Sequence, residues 1–316
     1  MHDHEIKHLN EIDRRTLLRG AGLATGLLFL KNIDISSSAA ATINLPGFSA
    51  FAKSVKVSKS AKYYLVESNG IPAHPMMSGI VSWQQQVPTP QPYSGTNSWS
   101  IPIKGVISKN PMSAKNHFLR GAIAIAVNGV PIFNALNNRG DDAYLAGELD
   151  DWGGHCGRAD DYHYHVAPLH LQTIIGKKVP IAYALDGFPI YGDTEIDGKA
   201  LMKLDEFNGH FDSKKNYHYH GTKTYPYING GFKGVVQEID GQVDPQAATR
   251  AFRPAGAPLK GAKIVSCDQL GSNTFDLKYE LNGQTYEIKY SATLTDVDMT
   301  FVNPDGTTRE EKYQRR

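Results

Sequence analysis

The chain has 316 residues, of which 41% are hydrophobic and 21% charged, and its formal net charge is +1. This composition supports one large or two modest globular domains and excludes a mostly disordered chain. Because no long basic run appears beyond the first residues, neither nucleic acid nor an anionic membrane surface is expected as a partner.

The N-terminal segment has the pattern of an export signal. Arg14-Arg15 precedes a short, glycine-containing apolar run, Gly20 to Leu30, and the small residues Ala39 to Ala41 follow. The run is too short to span a membrane comfortably, and the small residues suit a signal peptidase. Residues 1–41 therefore resemble a twin-arginine signal, with an ordinary secretory signal or a retained anchor as alternatives. We expect a periplasmic or secreted protein, exported by the twin-arginine machinery and without an integral membrane span in its mature chain.

After a Ser-, Ala- and Lys-rich spacer at 42–60, apolar runs predict buried strands. The runs in "AKYYLVESNG", "GAIAIAVNGVPIF" and "PIAYALDGFPIYG" each end in an Asn-Gly or Asp-Gly turn. The last two continue into a Pro-Ile-aromatic segment, as expected of a strand that follows a tight turn. We assign these runs to a domain that spans residues 61–254.

The middle of the chain contains a long internal match. "LDDWGGHCGRADDYHYH", Leu149 to His165, aligns without a gap on "LDEFNGHFDSKKNYHYH", Leu204 to His220. Two tandem copies, 120–168 and 179–227, would account for this match. We therefore predict a mainly β fold with an internally duplicated, sandwich-like central domain and few short helices.

Residues 255–316 form short alternating stretches with Asn-Gly and Pro-Asp-Gly turns, such as "FDLKYELNGQTYEIKYSATL". These features predict a C-terminal region of antiparallel hairpins with one polar face.

The internal match places histidines in equal positions. If each Tyr-His-Tyr-His segment is extended, its two imidazoles lie on one face and its two tyrosines on the other. The Gly-His upstream is predicted in a loop that can fold back and supply a third imidazole. The predicted metal ligands are therefore His155, His163 and His165 in the first copy and His210, His218 and His220 in the second.

Histidine is the commonest protein ligand for transition metals, and all-imidazole sites suit copper, zinc, iron or nickel. Asp150, Asp161 and Asp205 are expected to hydrogen-bond to imidazoles and fix their tautomer, or to bind the metal themselves. His74, which follows another Asn-Gly-x-Pro turn, could join a site or lie in a surface loop. His170 has no matched partner and is expected to be incidental.

Three functional alternatives stay open at this stage. An enzyme would have an open metal position beside a substrate-sized cleft, with Asp161 or Asp186 as weak candidates for proton transfer. A non-catalytic module would bind a metal in a closed ligand shell or line a pocket for an organic ligand. A structural part would keep its histidines hydrogen-bonded.

Cys156 and Cys267, the sole cysteines, could pair in an oxidising compartment.

The segments "DYHYH", "ALDGFPIYG", "LDEFNGHFD" and "NYHYHGTKTYPYINGGFKG" together resemble the YHYH domain family, whose members are bacterial and often exported. The resemblance covers about Ala61 to Val236. It implies domain identity and export but no settled activity. Combined with the histidines, it leads to the expectation of a metal-binding protein with possible oxidoreductase or hydrolase activity.

Overall fold

The structure is a computed structural model that describes residue 43 and residues 45–315. The predicted signal, 1–41, lies outside the described residues. All described residues fall within one compact unit. No helix among them is long and apolar enough to cross a membrane.

The described part of the chain is mainly β, with few short helices, which confirms the predicted fold class. Its helical elements are α1 (Gln172–Ile175) and three 3-10 helices at Phe48–Phe51, Gly95–Asn97 and Leu169–Leu171. In chain order, the strands are β1 (Lys56–Lys59), β2 (Tyr63–Glu67), β3 (Trp99–Pro102), β4 (Ile107–Ser113), β5 (Ala122–Ala126), β6 (Pro131–Phe133), β7 (Gly154–Cys156), β8 (Tyr162–Tyr164), β9 (Ala182–Ala184), β10 (Pro189–Tyr191), β11 (Gly209–Phe211), β12 (Tyr217–His220), β13 (Gly231–Gly234), β14 (Gln237–Ile239), β15 (Gln242–Asp244), β16 (Lys263–Gln269), β17 (Thr274–Leu281), β18 (Gln284–Ala292), β19 (Asp296–Val302) and β20 (Thr308–Gln314).

The central sheet has eight strands in the order β11-β12-β10-β9-β5-β6-β8-β7. Read outward from its centre, each half repeats one pattern: an antiparallel hairpin, a parallel neighbour and an antiparallel outer strand. The central strands β5 and β9 are buried along their whole length. Their sequences, Ala-Ile-Ala-Ile-Ala and Ala-Tyr-Ala, fit strands that are covered on both faces.

The C-terminal strands β16 to β20 form an antiparallel sheet in chain order. Asn282 and Gly283, both with positive φ, form the two-residue turn between β17 and β18, as the Asn-Gly signal predicted. Ile264, Phe275 and other side chains of this sheet belong to the same hydrophobic core cluster as the central strands.

Candidate metal centres

The first histidine cluster is built on the hairpin of β7 and β8. His155 lies directly opposite His163 in the strand register. His165 comes two residues after His163 and therefore points to the same face. His155 thus lies on a paired strand, which corrects the expectation that the Gly-His segment is a loop. Three residues are too few to show strand periodicity in a sequence.

The tyrosines of this hairpin point to its other face, where Tyr162 holds the turn that precedes β7. Asp150 Oδ1 accepts hydrogen bonds from the backbone N–H groups of Trp152 (2.9 Å) and Gly154 (3.0 Å). Tyr162 donates its hydroxyl to Asp150 Oδ2 at 2.7 Å. A Cβ on Gly154 would lie 2.6 Å from the Tyr162 hydroxyl. The Leu-Asp, Gly-His and Tyr-His elements of the sequence pattern are therefore parts of one local structure.

The hairpin of β11 and β12 repeats this arrangement for the second cluster. His210 lies opposite His218, and His220 follows on the same face. Asp205 accepts hydrogen bonds from the Gly209 N–H (3.2 Å) and the Tyr217 hydroxyl (3.0 Å).

In the first cluster, the three imidazoles converge through their Nε2 atoms. His165 Nε2 lies 3.1 Å from that of His163 and 3.0 Å from that of His155. His163 Nδ1 donates to the Asp161 carbonyl (3.0 Å), and His165 Nδ1 donates to the Asn134 carbonyl (2.5 Å). Because a carbonyl oxygen can only accept, each of these two rings carries a proton on Nδ1, and in its neutral form it has its lone pair on Nε2.

The imidazoles of the second cluster also converge, and a carboxylate adds a fourth potential metal ligand. His210 Nε2 lies 3.2 Å from His220 Nε2 and 3.4 Å from Glu195 Oε1. His220 Nδ1 donates to the Gly192 carbonyl at 2.9 Å. His218 Nε2 is buried and has no hydrogen-bond partner among the described residues.

Burial lowers the pKa of four of these imidazoles. Loss of solvation, reinforced by the neighbouring histidines, lowers the pKa of His155 and lowers that of His165 to about 3. Burial likewise lowers the pKa of His218 and lowers that of His220 to about 4. Each of these four rings therefore has a lone pair available for a metal ion at neutral pH. In each cluster the potential ligand atoms lie within 4.8 Å of one another, a geometry that could hold a metal ion.

The predicted partner aspartates separate into two groups. Asp161 lies beside an imidazole, with Oδ2 at 3.4 Å from His163 Nδ1. Asp150 and Asp205 bind tyrosine hydroxyls and backbone N–H groups on the opposite face, which corrects the expectation that they hydrogen-bond to imidazoles. The reason is the strand alternation, since each Leu-Asp turn approaches its hairpin from the tyrosine side.

Asp186, the other candidate for proton transfer, is also on the tyrosine side. It is fully buried and accepts hydrogen bonds from the Tyr219 hydroxyl (2.5 Å) and the Gly234 N–H (2.9 Å). Burial raises its pKa to about 6. Neither cluster includes Asp186.

His74 also belongs to the tyrosine face and joins neither cluster. Its Nδ1 donates to the Pro75 carbonyl (2.7 Å), so that Nε2 accepts from the Tyr164 hydroxyl at 2.6 Å. Its ring stacks on Trp152 and meets His170 edge-on. His170, expected to be incidental, is thus part of an aromatic group behind the first hairpin.

The two cysteines are free, buried thiols. Burial raises the pKa of both, well above the ordinary value for Cys156 and to about 12 for Cys267. Neither belongs to a cluster of potential metal ligands.

A cavity of about 560 Å³ opens onto the first cluster and is lined by all three of its histidines and by Asp161. The cavity beside the second cluster has a volume of about 420 Å³ and is lined by only one of its histidines, His218.

Glu195 was not predicted from the sequence as part of a site. The segment "GVPIFNALNNRG" in the first copy matches "GFPIYGDTEIDG" in the second. Extending the internal match over these segments could have indicated Glu195, which lies four positions after the aromatic residue of its Pro-Ile-aromatic segment.

These features define a β-rich protein with two three-histidine clusters on equivalent hairpins. Residues 98–203 match the family model described as YHYH protein, so the chain contains a YHYH domain over these residues. This confirms the resemblance seen in the sequence. The matched residues include the first cluster and end before the histidines of the second. Comparison with curated proteins gave no match, and neither did comparison with solved structures.

Proposed function

We propose that each cluster binds one transition metal ion through its three Nε2 atoms. The observation that carries this proposal is the approach of unprotonated nitrogens. In the first cluster, His163 and His165 both carry a proton on Nδ1, so as neutral rings they cannot hydrogen-bond through Nε2, and their lone pairs repel at 3.1 Å unless a cation lies between them. Metal–nitrogen distances of ~2.0–2.1 Å around a tetrahedral ion place two ligand atoms about 3.3–3.4 Å apart.

The two ions would occupy separate sites. Along the central sheet, β8 and β12 are separated by β6, β5, β9 and β10. Five strand spacings of ~4.8 Å give about 24 Å. A shared centre would need ligands within a few ångströms of one ion, so this topology supports two mononuclear sites.

The donor sets suit copper, zinc, iron or nickel, because neutral imidazole is a good ligand for all four. A bound ion would supply Lewis-acid or redox chemistry. In the first site, Asn134 and Asp161 hold the rings through their carbonyls, and the adjoining cavity has room for a small substrate. This combination favours a metal-dependent enzyme, of the oxidoreductase or hydrolase class, at the first cluster.

A non-catalytic role is better supported at the second cluster. Glu195 adds a carboxylate to the three imidazoles, and only His218 borders the neighbouring cavity. A donor set of four protein ligands is typical of a structural or storage site.

Metal content of purified protein tests the proposal. Elemental analysis of the mature protein, exported by its native host, should give two ions per chain. The variants His163→Ala/His165→Ala and His218→Ala/His220→Ala should each retain one, and the combination of all four should retain none. His74→Gln is the matched control, because this histidine belongs to neither cluster, and it should retain two.

The proposal fails if wild-type protein is metal-free and takes up no metal on titration. It also fails if the quadruple variant, shown by circular dichroism to be folded, keeps the wild-type metal content.

We also propose export by the twin-arginine route, on the basis of Arg14-Arg15 and the apolar run after it. Replacement of both arginines by lysine should leave the precursor in the cytoplasmic fraction. Unchanged export of this variant would exclude the route.

A further inference from the structure

Each cluster adjoins a turn of the same backbone geometry, and the residue at the first position of this turn differs between the two clusters. This turn follows β6 in the first half of the sheet and β10 in the second. The Gly140 N–H donates to the Asn137 carbonyl (2.9 Å), and the Gly198 N–H donates to the Glu195 carbonyl (2.8 Å). Both glycines have positive φ, 85° and 87°. Asn137 and Glu195 therefore occupy equivalent places.

Glu195 uses its place to approach the second cluster, with Oε1 at 3.4 Å from His210 Nε2. The carboxylate supplies a fourth potential ligand there and carries a negative charge. Metal binding at the second cluster would therefore draw on three imidazoles and one carboxylate of the chain itself.

Asn137 is neutral and is turned to other partners. Its Nδ2 donates to Glu148 Oε1 at 3.2 Å, and its Oδ1 accepts from the Arg139 N–H at 2.9 Å. The Glu148 carboxylate is in turn bound by the Arg139 guanidinium. The chain thus supplies the first cluster with three imidazoles, and the nearby carboxylate of Glu148 is neutralised.

The cavity over the first cluster has the electrostatics of an anion site. Its lining includes three arginines, Arg120, Arg139 and Arg158, against two carboxylates, Glu148 and Asp161. Arg139 forms an ion pair with Glu148, whereas Arg120 and Arg158 are exposed at the rim of the cavity. Arginine binds carboxylates in a bidentate manner, and the excess of positive over negative charge in this lining attracts anions.

We propose that the first cluster takes a small carboxylate-bearing ligand as the partner of its metal ion, and that Glu195 excludes such a ligand from the second. The proposal rests on the proposed function, since it requires metal at both clusters. It assigns substrate access to the first cluster alone.

Copper(II)-loaded protein titrated with azide tests this asymmetry, because azide bound to copper(II) produces a charge-transfer absorption band. Wild-type protein should bind one azide for every two copper ions. Asn137→Glu should reduce the ratio to zero, and the reciprocal change, Glu195→Asn, should raise it to two. Acetate should displace azide from wild-type protein.

Two further variants separate the arginines from the metal. Arg158→Gln and Arg120→Gln should weaken azide binding several-fold, because each removes a positive charge from the rim, and both should keep two copper ions. Lys260→Gln, a charge change outside this cavity lining, is the matched control and should bind azide as the wild type does.

Copper content is measured in every sample, so the two proposals can fail separately. Fewer than two copper ions in wild-type protein would contradict the proposed function. With two ions bound, an azide ratio of zero or two in wild-type protein, or a ratio that the exchange of Asn137 and Glu195 does not change, would overturn the asymmetry alone. A lack of competition by acetate would overturn the assignment of the ligand class.

Discussion

Replacement of Asp150 by asparagine should lower the stability of the protein and leave its affinity for metal nearly unchanged. The Asp150 carboxylate is buried and accepts four hydrogen bonds: from the Trp152 and Gly154 N–H groups on Oδ1, and from the Met77 N–H and the Tyr162 hydroxyl on Oδ2. Asparagine keeps one oxygen and puts an NH₂ group in place of the other. If the remaining oxygen accepts from the Trp152 and Gly154 N–H groups, the NH₂ group faces the Met77 N–H, and these two donors cannot hydrogen-bond to each other.

The magnitude follows from these contacts. An unpaired buried N–H costs about 1–3 kcal/mol, and an ordinary hydrogen bond contributes about 1 kcal/mol. The Tyr162 hydroxyl can rotate to accept from the new NH₂ group, but it loses its charged acceptor. We expect Asp150→Asn to lower the free energy of unfolding by about 2–4 kcal/mol at pH 8, where Asp150, whose pKa burial raises to about 6, is ionised.

Urea unfolding of metal-free protein, followed by tryptophan fluorescence, measures this change. Asp151→Asn is the matched control, since the neighbouring Asp151 is exposed, and it should stay within about 0.5 kcal/mol of wild type. Metal affinity is the second readout. Loss of a hydrogen-bond partner of a metal-binding imidazole typically costs 10–100-fold in affinity. A loss of that size with unchanged stability would refute the placement of Asp150 on the tyrosine face.

The structure makes three more predictions about stability. Metal-free protein should unfold at lower urea at pH 5 than at pH 7.5. The folded pKa values of His165 (about 3) and His220 (about 4) lie below the ordinary 6.5, so the unfolded chain takes up these protons first as the pH falls. Asp150 and Asp186, whose pKa values are raised to about 6, act in the opposite direction, because their contributions are present at low pH and lost as the pH rises through 6. Six histidines have a lowered pKa and four aspartates a raised one, so a midpoint that rises on acidification would contradict this balance. Metal at 100 times its Kd should stabilise the protein by about 2.7 kcal/mol per site in thermal unfolding, and a variant lacking one cluster should lose one such contribution. Arg253→Met should cost about 3–5 kcal/mol because it leaves Asp160 buried without its bidentate partner. Arg253→Met/Asp160→Asn should recover part of that loss in urea unfolding, and a double variant as unstable as the sum of the single changes would argue against the pair.

The sequence was most informative where strand geometry alone determines the outcome. Alternation along Tyr-His-Tyr-His required His163 and His165 to share one face, and both hairpins have this arrangement. The Asn-Gly signals located the turns, because few residues other than glycine and asparagine adopt positive φ at low cost.

The sequence was least informative where the outcome depends on which segments meet. Strand alternation does not state that the Leu-Asp turn approaches from the tyrosine side, so the partners of Asp150 and Asp205 could not be predicted. Glu195 lies 15 residues before His210 in the chain and reaches the cluster only because β10 pairs with β12. Three residues carry no measurable period, so the sequence could not show that His155 lies on a strand.

The order of the central sheet explains how one hairpin design can support two different sites. The matching halves meet at β5 and β9, so the two clusters lie on opposite outer parts of the sheet, about 24 Å apart along it. Side chains at such a distance seldom couple energetically. A change at Glu195 or Asn137 can therefore alter the donor set of one cluster without disturbing the rings of the other. The shared backbone geometry places three imidazoles in each half, and under the proposed function the first residue of the adjoining turn, Asn137 or Glu195, would decide whether the fourth ligand comes from the chain or from outside.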